Sequence, residues 1–181
     1  GAHRIVETAN SVITAVGPGG EIFAQDPAVD VFAGLFLNDR DLDVSHIQVG
    51  DIVDVRGRYI EEFGLVQIDL TAIEVVGQGT PPAPVLLAPV QVADAAFVER
   101  YEAMLVRVQD VECTDDNPDD DEFGEFAIDE GVRVDDLLYA VEPDPQVGTR
   151  FGSIAGVLHF AFGKFKIQPR SADDIEGQVQ P

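Results

Sequence analysis

The sequence predicts an all-β protein built from two small five-stranded barrels in tandem, and three observations carry that expectation. Val, Ile, Phe and Gly recur in short alternating stretches of the strand type, while helix-favouring runs are scarce and Trp is absent. A motif is written once in each half. Val49-Gly50 leads to Gly57, Phe63-Gly64 and Ile68, and Val147-Gly148 leads to Gly156, Phe162-Gly163 and Ile167. Both glycine steps, 57 to 64 and 156 to 163, are seven residues long, and each second glycine is followed by Ile four residues later. Finally, a proline-rich stretch separates the copies, with Pro81, Pro82, Pro84 and Pro89 between Gly77 and Pro89. The chain then divides into a first barrel over 1–79, a linker with a short helix over 80–101, and a second barrel over 102–181.

In the first half, Ser11 to Val16 and Glu21 to Gln25 alternate across Gly17-Pro18-Gly19-Gly20, which reads as a hairpin. Gly34 to Leu37, Asp51 to Ile60 and Leu65 to Val75 supply three more strands, with turns at Asn38-Asp39 and Phe63-Gly64. The linker holds too much proline for a central strand. Ala93 to Tyr101 is suited to one or two helical turns, and Met104 to Cys113 opens the second set of strands. After the charged excursion Thr114 to Glu122 come Phe123 to Ile128, Val132 to Tyr139, Phe151 to Phe160 and Lys164 to Gln168. Five strands, a long third-to-fourth connection and a glycine in the fourth strand, where the sheet must coil to close, predict an OB-fold-like barrel in each half.

Composition narrows the function. The net charge is −23, about −9 up to Gly79 and about −14 after it, so neither half is a basic surface for polyphosphate or anionic lipid. No apolar run reaches the length of a membrane span. The single cysteine, Cys113, reads as a small buried hydrophobe in a strand. His3, His46 and His159 lie far apart without metal-ligand spacing and are expected at surface or edge positions. No Gly-x-Ser-x-Gly elbow and no phosphate-cradling glycine loop occur. The pairs Glu61-Glu62, Asp135-Asp136 and Asp173-Asp174 read as solvated faces in a chain with 34 acids. No catalytic residue is assigned, and the chain is expected not to be an enzyme.

Two segments stand out as ligand sites. The run from His159 to Arg170 carries aromatics and three cations without an acid, so Phe160, Phe162, Lys164, Lys166 and Arg170 form a candidate face for bases and phosphates. Against this stands a structural reading in which the alternate phenylalanines fill the core while Lys164 and Lys166 pair with surrounding acids. In the acidic excursion, Asp115, Asn117, Asp119 and Asp121 offer oxygens to a weak calcium ion, and Asp115-x-Asn117-x-Asp119 matches the opening of an EF-hand loop. The remainder departs from that pattern, with Asp120 where Gly is needed and Phe126 where a Glu should close the site. No other cofactor is expected.

The stretches Ser11 to Val16, Ile22 to Pro27 and Val49 to Gly57 resemble the OB-type module found beside endonuclease/exonuclease/phosphatase domains in secreted bacterial nucleases. Tyr101 to Val106, Phe123 to Phe126, Arg133 to Asp136 and Gly163 to Arg170 are similar to its partner module there and in secreted multidomain lipoproteins. The likeness runs from about Ile5 to Ile175, and Ala103 departs from the glycine usual at its place. It implies an extracellular or periplasmic location, with lipoprotein anchoring as one form, and other domains of the same parent protein as partners. The catalytic segment of such nucleases is a separate one. The implied function is a non-catalytic tandem interaction or spacer module; the alternative is a module that binds single-stranded nucleic acid or oligosaccharide for a nuclease, a partner class the acidic charge disfavours.

Overall fold

A computed structural model describes residues 4–39, 42–120 and 123–181. The first half contributes β1 (Ile5–Val16), β2 (Ile22–Gln25), β3 (Gly34–Asn38), β4 (Asp51–Glu62) and β5 (Leu65–Gln78). Around Gly17 to Gly20 the chain reverses because Gly20 supplies a left-handed φ of 95° and Gly17 N–H donates to Glu21 O at 2.7 Å, setting Val16 opposite Ile22. The strands close in the order β1-β2-β3-β5-β4, antiparallel except for β3 and β5, which run parallel with Leu37 beside Ile68. The inward positions Ile13, Ile22, Leu37, Val53, Val55 and Ile68 fill this barrel.

Closure requires β4 to coil sharply, and Gly57 is where it does. The register with β5 shifts between Arg56 and Gly57, and a Cβ on Gly57 would lie 2.5 Å from Asp69 O. Gly156 answers it in the second half, where a Cβ would lie 2.3 Å from Gln168 O. Each of these glycines also pairs with the first long strand of its half, Gly57 with Val6 and Gly156 with Val106.

The second half holds β6 (Val85–Leu86), α1 (Pro89–Ala93), α2 (Ala95–Val98), a 3-10 turn at Glu99–Tyr101, β7 (Leu105–Asp115), β8 (Phe126–Ile128), β9 (Val132–Val134), β10 (Arg150–Ala161), β11 (Lys164–Gln168) and β12 (Ile175–Glu176). These strands form a seven-stranded sheet in the order β12-β10-β11-β9-β8-β7-β6, and β10 also pairs with β7. As with β3 and β5, β9 and β11 are parallel, and Ile167 stands beside Val134 as Ile68 stands beside Leu37. Val106, Val108, Cys113, Ile128, Ile154 and Leu158 lie in its core. No helix among the described residues is long and apolar enough to cross a membrane.

Several elements differ from expectation. The proline-rich linker is not wholly outside the sheet: Val85 and Leu86, just past Pro84, pair with Val106 and Arg107 on β7, and Leu87 N–H donates to Arg107 O at 2.9 Å. Pro89 then opens α1 rather than prolonging the linker, since a first-turn residue needs no amide hydrogen. The strand expected to run to Tyr139 ends at Val134. Asp135 is engaged by Gln168 Nε2 at 2.8 Å, and Leu137 and Leu138 turn away to pack on the first half.

That packing joins the two halves. Ala15 and Phe23 of the first meet Ala103, Leu105 and Val157 of the second, flanked by Phe36, Leu137 and Leu138. Gln25 Oε1 accepts from Leu105 N–H at 3.1 Å within the seam. Gly34 passes so close to the other chain segment that a Cβ there would lie 2.1 Å from Glu102 O and 2.5 Å from Ala103 C. Apolar contact, buried hydrogen bonding and this backbone approach couple the halves mechanically.

Candidate binding surfaces

The β10–β11 hairpin carries the aromatic and cationic residues singled out in the sequence, and packing sorts them into different roles. Phe160 packs against Phe165 in a tilted pair with ring centres 4.9 Å apart, and its ring blocks the space a Cβ on Gly64 would take. Phe162 stands almost wholly in solvent at the tip, with a φ of 52° followed by 78° at Gly163, the two left-handed positions of a type I′ turn. Lys164 is half-exposed, 3.6 Å from Asp119. Lys166 is buried, ion-paired with Glu125 and with Asp135 at 3.4 Å, and its Nζ lies 5.3 Å from the Phe162 ring centre. Arg170 is committed too: Nε and Nη2 each donate to Asp174 at 2.7 Å, while Nη1 donates to Thr14 O at 3.3 Å. The hairpin therefore presents Phe162 and Lys164 outward and keeps Lys166 and Arg170 in internal pairs.

The acidic excursion is anchored by the same network. Arg133 grips Asp119 through two nitrogens at 2.7 and 3.0 Å and reaches Glu125 at 3.2 Å. Its hydrogen bonds hold the Asp119 carboxyl below the usual carboxylate range. Asp115 accepts from Asn117 N–H at 3.1 Å, an Asx turn within the loop. Asp121 lies outside the described residues. Among the described residues no three His, Cys, Asp or Glu side chains converge as a metal cluster would require.

His159 corrects the expectation of a surface or edge histidine. Strand alternation on β10 points it into the seam, where its ring meets Phe23 edge-on at 5.5 Å and Phe36 at 5.3 Å. Both ring nitrogens are buried without a hydrogen-bond partner. Burial pushes its pKa down to about 4, with Asp135 opposing and Lys166 adding to that direction. His46 is exposed as expected, and His3 lies outside the described residues. Cys113 is buried in the second core, and burial raises its thiol to about 11.

A cleft of about 400 Å³ that the sequence reading does not anticipate lies between the first barrel and the segment following α2. Leu35, Phe36, Tyr59 and Val66 form apolar walls, and Glu99 and Glu102 line the side contributed by the second half. Glu102 Oε1 accepts a long hydrogen bond from Val66 N–H at 3.4 Å. Desolvation raises the Glu102 pKa to about 7, and nearby Glu99 and Glu61 push it the same way. Thr8 also lines the cleft, and its hydroxyl is buried without a partner. Phe32 lines it too, 75% exposed at a φ of 55°, with its N–H donating to Arg100 O at 2.6 Å. These residues come from β1, β3 with the loop before it, β4, β5 and the 99–103 segment, so no local spacing could reveal them. An isolated Phe32 among loop residues is the one visible sign.

Comparison of the chain with protein-family models, with characterised proteins and with solved structures finds no match.

Proposed function

We propose that this chain is a non-catalytic tandem OB-fold module that serves a larger secreted bacterial protein as a rigid interaction and spacing unit. The seam carries the reading: Phe23, Phe36 and His159 interlock while Gly34 touches the backbone at Glu102, so two modules act as one body. The order β1-β2-β3-β5-β4 with parallel β3 and β5 is the strand order of an OB fold. The pairings β7-β8, β8-β9, β9-β11, β11-β10 and β10-β7 support a second barrel of the same kind, extended by β6 and β12. The secreted setting and the neighbouring domains rest on the family resemblance.

A second reading, in which the module holds an oligosaccharide or single strand for a nuclease, is favoured by the exposed rings of Phe63 and Phe162 at the two hairpin tips. Internal pairing of Lys166 and Arg170 and the charge of −23 weigh against the nucleic acid half of it. Purified protein should turn over neither DNA nor a phosphoester, and should bind neither single-stranded DNA nor acidic glycans at low or moderate salt. Turnover abolished by one substitution within the chain would refute the non-catalytic reading. Binding lost on Phe162→Ala with Lys164→Glu would establish the second reading in its place.

A further inference from the structure

We propose that the cleft between the first barrel and the Glu99–Ala103 segment seats the lysine or arginine side chain of a partner protein, presented between apolar residues on an extended segment. The inference rests on the interaction-module reading and names the chemistry of its partner. Ligand cavities commonly span about 300 to 1,000 Å³. A cleft of about 400 Å³ has room for one long side chain and part of its neighbours. Val6, Leu35, Phe36, Tyr59, Val66 and Ile68 offer it an apolar lining suited to the methylene stem.

The polar groups specify the head. Glu102 is half-buried, and its carboxylate has one long hydrogen bond and no cationic partner among the described residues. An uncompensated carboxylate in an apolar wall is costly, and an entering ammonium or guanidinium removes that cost where an alkyl or anionic group would not. Glu99 lies on the same wall and Glu61 is near enough to act on Glu102, so the local potential favours a cation. A metal ion is disfavoured because no three ligating side chains converge among the described residues. Exposed Phe32 and partly exposed Tyr59 line the opening, where rings can meet both the cation and its apolar neighbours. The charge of −23 steers a basic segment toward this surface.

The test uses the whole chain and the peptide acetyl-Ala-Leu-Lys-Leu-Ala-amide, followed by amide chemical shifts in NMR. Val66 is the reporter, because its N–H is bonded to Glu102. Saturable shifts are expected at Val66, Phe36 and Ala103, and the norleucine counterpart should bind at least about tenfold more weakly. Glu102→Gln should erase the preference for lysine while leaving the norleucine peptide unaffected, and Phe32→Ser, at an exposed site, should weaken both. As Glu102 takes up a proton, affinity for the lysine peptide should fall about tenfold from about pH 8 to about pH 6. Equal affinity for the two peptides, or an unchanged preference in Glu102→Gln, overturns the inference. Saturable shifts confined to another surface also overturn it, yet leave the interaction-module reading standing; catalytic turnover is what would remove that reading.

Discussion

Replacing His159 by Phe should make the protein more resistant to acid by an amount that follows from one buried ring. In the folded protein His159 stays neutral down to about pH 4, because burial between Phe23 and Phe36 excludes the charged form. In the unfolded chain the same imidazole takes up a proton near about pH 6.5. Between those values the unfolded state binds more protons, so the contribution is intact above the unfolded pKa and is lost as pH falls toward the folded one. Linkage over that interval gives a loss of about 2 kcal/mol by about pH 5 and about 3 kcal/mol once both forms are protonated. The phenylalanine has nothing to protonate. It also removes two buried nitrogens that lack partners, which offsets the strain of a slightly larger ring. Urea unfolding of both proteins at a series of pH values isolates the effect, since the carboxylates common to both cancel in the difference. The stability gap should widen by about 2 kcal/mol from about pH 7 to about pH 5. A gap that stays flat over this range would refute the burial of a neutral histidine in the seam.

Other outcomes follow from the same structure. Gly34→Ala should cost about 3 kcal/mol or more, because its Cβ meets the Glu102 carbonyl rather than a movable side chain; Gly163→Asn, where a Cβ has open space, serves as the near-neutral control in denaturant melts. Phe63→Asn should stabilise by about 0.5 to 1 kcal/mol, since a fully exposed ring there gives up little packing and Asn tolerates the left-handed φ of 54° better; a loss of stability would mean the ring packs in solution. Calcium must compete with Arg133 for Asp119, so calorimetry should show binding no tighter than about 10⁻³ M, and a constant below about 10⁻⁴ M would overturn that competition.

Strand periodicity makes most of the first half legible. Lys164 to Gln168 occupies the predicted bounds, and Asp51 to Ile60 is extended by two residues in β4. The start of β1 is not legible because Ile5 to Asn10 lies along β4, not β2, and the ladder is interrupted between Thr8 and Ser11. In that stretch the side chains are largely exposed, so no apolar alternation marks it. β8 lies within the expected strand Phe123 to Ile128 but starts three residues later, and because Phe126, Ala127 and Ile128 are all buried no period of two marks that start. Candidate sites are harder to read because burial by another module leaves no trace in a strand's own pattern. Lys166 looks like a surface cation by sequence, and only tertiary packing reveals Glu125 and Asp135 around it. His159 is hidden by Phe23, more than a hundred residues earlier, and the Glu102 cleft draws on five separate segments.

Cys113 has a consequence for observing motion. It is the one sulfhydryl in the chain, sits on β7 in the second core, and is both sealed from solvent and shifted away from thiolate. An alkylating reagent can therefore reach it only when β7 separates from its neighbours. Labelling by graded reagent concentrations, at constant pH, counts those separations under native conditions. If the seam transmits force between the halves, loosening it at Gly34 will quicken labelling at a sulfur that lies in a different core. The rate at Cys113 then becomes a direct measure of how far a disturbance in one half is felt by the other.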